Sequence, residues 1–128
     1  MTRTVGFSVT HRRYVPYSHA HYGGNLVDGA YGLAMFGDVA TELCIRTDAD
    51  EGLFAGYSSV EFLAPIQAGD ILEATATLTR IGTRSRTLEF EAHVLCRAAP
   101  DRSPSSADVL DPPILVTRAT GTVVVPQS

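Results

Sequence analysis

Residues 28–46 place Leu33, Phe36, Ala40, Leu43 and Cys44 at helical spacing, while the rest of the chain reads as strands and turns. A lone helix must lay its apolar stripe on another element, so the strands have to supply a sheet for it. Asp28 is the expected N-cap. Gly32 and Gly37 weaken the helix locally and let another backbone come close. Thr-Asp-Ala-Asp-Glu-Gly, 47–52, is expected to end it in a turn. Two carboxylates one turn apart, Asp38 and Glu42, interrupt the apolar pattern, and packing alone gives no reason for an acid in the middle of a buried helix. The glycine-rich turn ahead of it, Tyr22-Gly23-Gly24-Asn25, leaves backbone N–H groups free for an anion or a carbonyl oxygen.

Around the helix the period is two. Val5, Phe7 and Val9 share one face of an expected strand over 4–15, which Pro16 ends. After the helix, 53–64 reads as a strand and Gln67–Asp70 as a turn. Leu72, Ala74, Ala76 and Leu78 alternate with Glu73, Thr75, Thr77 and Thr79. Gly82–Ser85 is a second turn, and Leu88, Phe90, Ala92, Val94 and Cys96 continue the alternation. Residues 100–113, rich in Pro, Ser and Asp, read as a flexible loop before a last strand over 114–125. The expected class is α+β: an antiparallel sheet with one long helix on its face, a single domain over 1–128. Such a small sheet leaves edges to cover, which a second copy paired edge to edge would do.

Composition narrows the function. A formal net charge of −4 argues against a nucleic-acid binder, which needs a basic face. No run approaches the 18 apolar residues of a membrane span, and the first residues lack the apolar core of a signal peptide, so a cytoplasmic location is expected. Cys44 and Cys96 lack metal-ligand spacing and read as small buried thiols; no metal site is expected.

Four segments in order carry a family resemblance. Ala20-His-Tyr-Gly-Gly-Asn-Leu-Val-Asp-Gly-Ala30, Phe36-Gly-Asp-Val-Ala-Thr-Glu-Leu43, Asp50-Glu-Gly-Leu-Phe54 and Val60-Glu-Phe-Leu-Ala-Pro65 resemble the 3-aminobutyryl-CoA and β-alanyl-CoA ammonia-lyases. The similarity spans residues 20 to about 95. It implies the hotdog fold, in which the sheet wraps a central helix, and a lyase that removes ammonia from a β-aminoacyl thioester or adds an amine in reverse. The acyl carrier would be coenzyme A or an acyl carrier protein, with no other cofactor. The chain is also similar to hotdog thioesterases and to hotdog proteins that add glycine to enoyl thioesters.

That chemistry needs a base for the proton beside the thioester carbonyl, a stabiliser for the enolate oxygen, and a group to hold the leaving ammonium. Two carboxylates in different surroundings can divide this work. Asp38 is the first candidate; its alternative is a helix-surface or interface acid. Glu61, between Val60 and Phe62, is the second, against a solvated strand position. Glu42 either shares the face of Asp38 or pairs with Arg46 on the surface. His21 is a catalytic candidate or a loop histidine that only hydrogen-bonds. Tyr22, Gly23, Gly24, Asn25 and Asp28 are candidates to bind the thioester, or else simply shape the turn. Arg80, Arg84, Arg86 and Arg97 are candidates for coenzyme A phosphates; Arg84 and Arg86 flank a turn and are expected to be exposed.

Overall fold

The computed structural model describes residues 3–126. Strand β1 (Ser8–Tyr14) leads through two short 3-10 turns, Tyr17–His19 and Gly23–Asn25, to helix α1 (Ala30–Asp48). Four strands follow: β2 (Leu53–Phe62), β3 (Ile71–Ile81), β4 (Ser85–Ala98) and β5 (Ala107–Val124). They form one sheet in the order β1-β3-β4-β5-β2, every neighbouring pair antiparallel.

The alternating residues make the inner face as expected. Leu72, Ala74, Ala76 and Leu78 of β3 and Leu88, Phe90, Ala92 and Val94 of β4 are buried, while Cys96 is half-buried. Alanines in the middle of β3 and β4 leave room for the helix, which lies against β1, β3 and β4. Its stripe of Met35, Phe36, Val39, Ala40, Leu43 and Cys44 is buried there. Phe36 stacks on Phe90 with ring centroids 4.9 Å apart. Gly32 provides close approach to the sheet: a Cβ there would stand 3.1 Å from the Thr117 hydroxyl oxygen.

Several boundaries differ from the sequence reading. β1 begins at Ser8, because Gly6 turns the chain at φ 97°. Val5 is consequently exposed and Phe7 only half-buried, leaving Val9 as the buried member of the expected face. The helix starts two residues late. Gly29, not Asp28, holds the cap position, with no side-chain cap, and the Asp28 carbonyl accepts a bond from the Tyr31 N–H at 3.0 Å. The helix also runs on to Asp48 before Ala49 caps it in the left-handed region. Asp48 is held there by Arg86, whose Nε and Nη2 reach its two oxygens at 3.0 and 2.7 Å. Arg86, expected at the surface, is therefore inside: the two side chains are 4% and 6% exposed.

The segment 100–113 is not one loop. β5 starts at Ala107 and pairs back on β4 through Ala98↔Ala107, Arg97↔Asp108 and Cys96↔Val109. Pro112 and Pro113 fall where the β4–β5 register shifts, and a bulge there needs no donor from either proline.

Candidate functional site

Four residues of helix and two residues of strand span similar lengths, about 6 Å and about 6.6 Å. Asp38 and Glu42 on α1 therefore stand opposite Arg13 and His11 on the inner face of β1. Arg13 Nη2 donates to Asp38 Oδ2 at 3.2 Å. His11 Nε2 and Glu42 Oε1 are 2.8 Å apart, and Arg46 Nε donates to Glu42 Oε2 at 2.8 Å. The bond with His11, then that from Arg46, hold the Glu42 carboxyl below its usual pKa. Both acids of the helix thus meet cations, and the expected Glu42–Arg46 pair is present. Asp38 keeps 61% of its side chain exposed, so its second oxygen stays accessible.

The approach loop extends this cluster. The Arg13 guanidinium lies 5.6 Å from the Tyr31 ring centroid, and the Tyr31 hydroxyl is 2.8 Å from His19 Nδ1. His21 and Tyr22 pack edge to face with centroids 4.6 Å apart, and both of their backbone N–H groups bond the Leu26 carbonyl. Gly23 and Gly24 are exposed, Gly24 in the left-handed region at φ 72°, followed by Asn25 at φ 60°. Backbone bonds from Ala68 N–H to Asn25 O and from Val27 N–H to Ile66 O tie this loop to the β2–β3 connection. That connection is itself fixed: Arg97 donates two bonds to the fully buried Asp70 and a third to the Pro65 carbonyl at 3.0 Å. Arg97 therefore serves the fold in this chain, as does Arg86; Arg80 and Arg84 remain exposed.

Between loop and connection lies a cleft of about 360 Å³, lined by Val27, Asp28, Gly29, Phe62, Leu63 and Ile66 among others. Phe62 pairs with buried Thr117 and so points to the inner side of the sheet, yet is 60% exposed, its ring against Gly29. Glu61 points the other way. Arg118 donates to its Oε1 at 3.1 and 3.0 Å, and the pair lines an outer depression with Glu89 and Glu91. One chain consequently does not bring Asp38 and Glu61 together, because the sheet separates them.

Burial pushes the Cys44 thiol up to about 11, with Asp48 adding to the effect, so no thiolate nucleophile forms there near neutrality. Among the described residues no group of three or more His, Cys, Asp or Glu side chains is arranged to hold a metal ion. No described helix is long and apolar enough to cross a membrane.

The thioesterase superfamily model matches residues 23–95, from the glycine turn to the end of the β4 alternation. The chain is 54% identical over 108 residues to the 3-aminobutyryl-CoA ammonia lyase of Acetoanaerobium sticklandii, covering 84% of this chain and 86% of that one. It belongs to the ammonia-lyase branch of the hotdog-fold thioesterase superfamily. Within that family, the structure of β-alanyl-CoA:ammonia lyase from Clostridium propionicum matches with a TM-score of 0.90 and 35% identity, covering 98% of this chain and 94% of that one. A hexameric hotdog fold thioesterase of Campylobacter jejuni matches at 0.74 and 18% identity, covering 91% and 81%, and shares the fold alone.

Sequence reasoning missed Arg13, Tyr31 and Phe62. Arg13 was detectable: it has the same odd parity as Val9, so it had to face the helix. Phe62 had no comparable local signal.

Proposed function

We propose that this chain is a carbon–nitrogen lyase that releases ammonia from a β-aminoacyl-coenzyme A, leaving the enoyl thioester, and catalyses amine addition in reverse. The observation that carries this reading is the 54% identity to a 3-aminobutyryl-CoA ammonia lyase over 84% of this chain. The geometry fits. In the forward direction the base takes the α-proton, the enolate oxygen is held, and the C–N bond breaks as the electron pair leaves with nitrogen, giving ammonia. Asp38 is assigned the proton transfer, because its carboxylate is accessible on one side while Arg13 orients the other. Backbone N–H groups at the start of α1 and along Gly23-Gly24-Asn25 are assigned to the thioester oxygen, with His21 and Tyr22 beside them.

Asp38 is nine residues along the helix from Gly29, about 13 Å at the helical rise. A thioester held at one helix start is therefore out of reach of that helix's own Asp38, and a second copy supplies the missing group. Two surfaces support a dimer. β2 is an edge strand of ten residues with seven exposed, among them Leu53 at 77%. The helix also presents Ala30, Ala34 and Ile45 to solvent, with half-buried Gly37 between them. Glu61, behind the sheet and paired with Arg118, is not assigned to the proton transfer. Coenzyme A is preferred over a carrier protein because relatives are named for coenzyme A thioesters. Two free cysteines suit a reducing cytoplasm.

The test is mass spectrometry of crotonyl-CoA incubated with ammonium or with glycine. An adduct that keeps its thioester supports the lyase and identifies the amine. Free coenzyme A without adduct would replace it with the thioesterase reading, which the superfamily match favours. Adduct released as free acid would mean that both steps share the site.

A further inference from the structure

The carboxylates around the helix are mostly already neutralised. Asp38 has Arg13, Glu42 has Arg46 and His11, Asp48 has Arg86 and Arg3, and Glu61 has Arg118. Unlike these, and like Asp50 and Glu51 past the far end of the helix, Asp28 is unpaired among the described residues. It is half-buried in the cleft with Val27, Phe62, Leu63 and Ile66. A carboxylate among apolar walls has a net attraction for a cation, since solvation is reduced and no protein charge compensates it. The second feature of the cleft points the same way. Phe62 offers an exposed ring against Gly29, one residue from Asp28. A carboxylate beside an aromatic face is a receptor for an ammonium group.

We infer that this cleft is the ammonium pocket, with Asp28 as counter-ion and Phe62 as cation–π wall for the β-amino group of the substrate. This rests on the lyase reading and gives it a division of labour. The start of α1 favours the thioester oxygen, where negative charge develops, and Asp28 takes the positive end of the same short chain. The pocket selects a protonated β-amine over a methyl group of equal size, and retains the nitrogen as its bond to carbon breaks.

The experiment compares two thioethers that lack an acidic α-proton and cannot react: S-(3-aminopropyl)-coenzyme A and its isostere S-butyl-coenzyme A. Binding of each is measured by calorimetry to the wild type, Asp28→Asn and Phe62→Leu. The wild type is expected to prefer the amine. Asp28→Asn should lose about ten- to a hundredfold of that preference, as for a charge-assisted bond, with S-butyl binding unchanged. Phe62→Leu should lose a few-fold. No preference in the wild type, equal weakening of both ligands in Asp28→Asn, or an unchanged preference in both variants would overturn the assignment. Circular dichroism reports folding of each variant, and Phe62→Leu carries the test if Asp28→Asn does not fold. Ammonia release is followed in parallel. Preference without release would sink the lyase reading and leave the pocket; release with an Asp28-independent preference would do the reverse.

Discussion

Asp38 and Glu42 are alike in sequence context, and their surroundings separate them. Glu42 is engaged at both oxygens, by His11 and Arg46, whereas Asp38 is engaged at one. Asp38→Asn is therefore expected to reduce ammonia release by about 10²- to 10⁴-fold, with an unchanged far-ultraviolet circular dichroism spectrum. Glu42→Gln should retain most activity and instead alter the acid limb of stability. Glu42 has a lowered folded pKa, so its stabilisation is fully present above the usual 4.5 and is lost as pH falls through the lower folded value. Thermal unfolding below pH 4.5 should thus be less pH-dependent in Glu42→Gln; equal slopes would show that the pair is worth nothing in solution. The existence of both acids was plain from the sequence. Their partners were not, because Arg13 and His11 lie 25 and 31 residues away.

At the level of elements, period and parity carried most of the information. The helix stripe and the β3 and β4 faces follow directly from 3.6- and two-residue spacing. The errors fell where long-range pairing overrides local composition. The second half of the Pro/Ser-rich segment, from Ala107, became strand because β4 offered it a partner, while 100–106 stayed a turn. An arginine beside a turn went inside because the end of α1 carries Asp48. Burial pushes the Asp48 carboxyl up, but bonds from Arg86 and Thr47 outweigh this and leave it below its usual value. Arg86→Met should accordingly destabilise the fold, by less than the about 3–5 kcal/mol of a fully stranded charge, since Arg3 and Thr47 still reach Asp48, and Arg86→Met combined with Asp48→Leu should recover much of it. Urea titration of the three proteins measures this. No recovery in the double variant would mean that packing by the arginine, not charge, is what matters.

For the whole molecule, the proposed dimer would use the exposed edge of β2 and the small-residue face of α1. A Cβ at Gly37 would meet nothing within 4 Å in one chain, so Gly37→Glu should fold and even gain helix propensity. In the proposed dimer its charge would nevertheless sit on the shared helix face. Sedimentation velocity should show monomer, with ammonia release lost; a dimer of normal activity would place the shared surface elsewhere. The sequence by itself determined the class of fold and the one helix with its buried stripe, which depend on spacing along the chain, and spacing is local; the family came from the resemblance of four segments. Only the tertiary structure decided which carboxylates are occupied and which is left open. Arg13, His11, Arg86 and Arg118 reach their acids across 25 to 57 residues, and no cation among the described residues reaches Asp28 in its cleft. Charge pairing depends on distance through space, so the open state of Asp28 became visible once the sheet had closed around the helix.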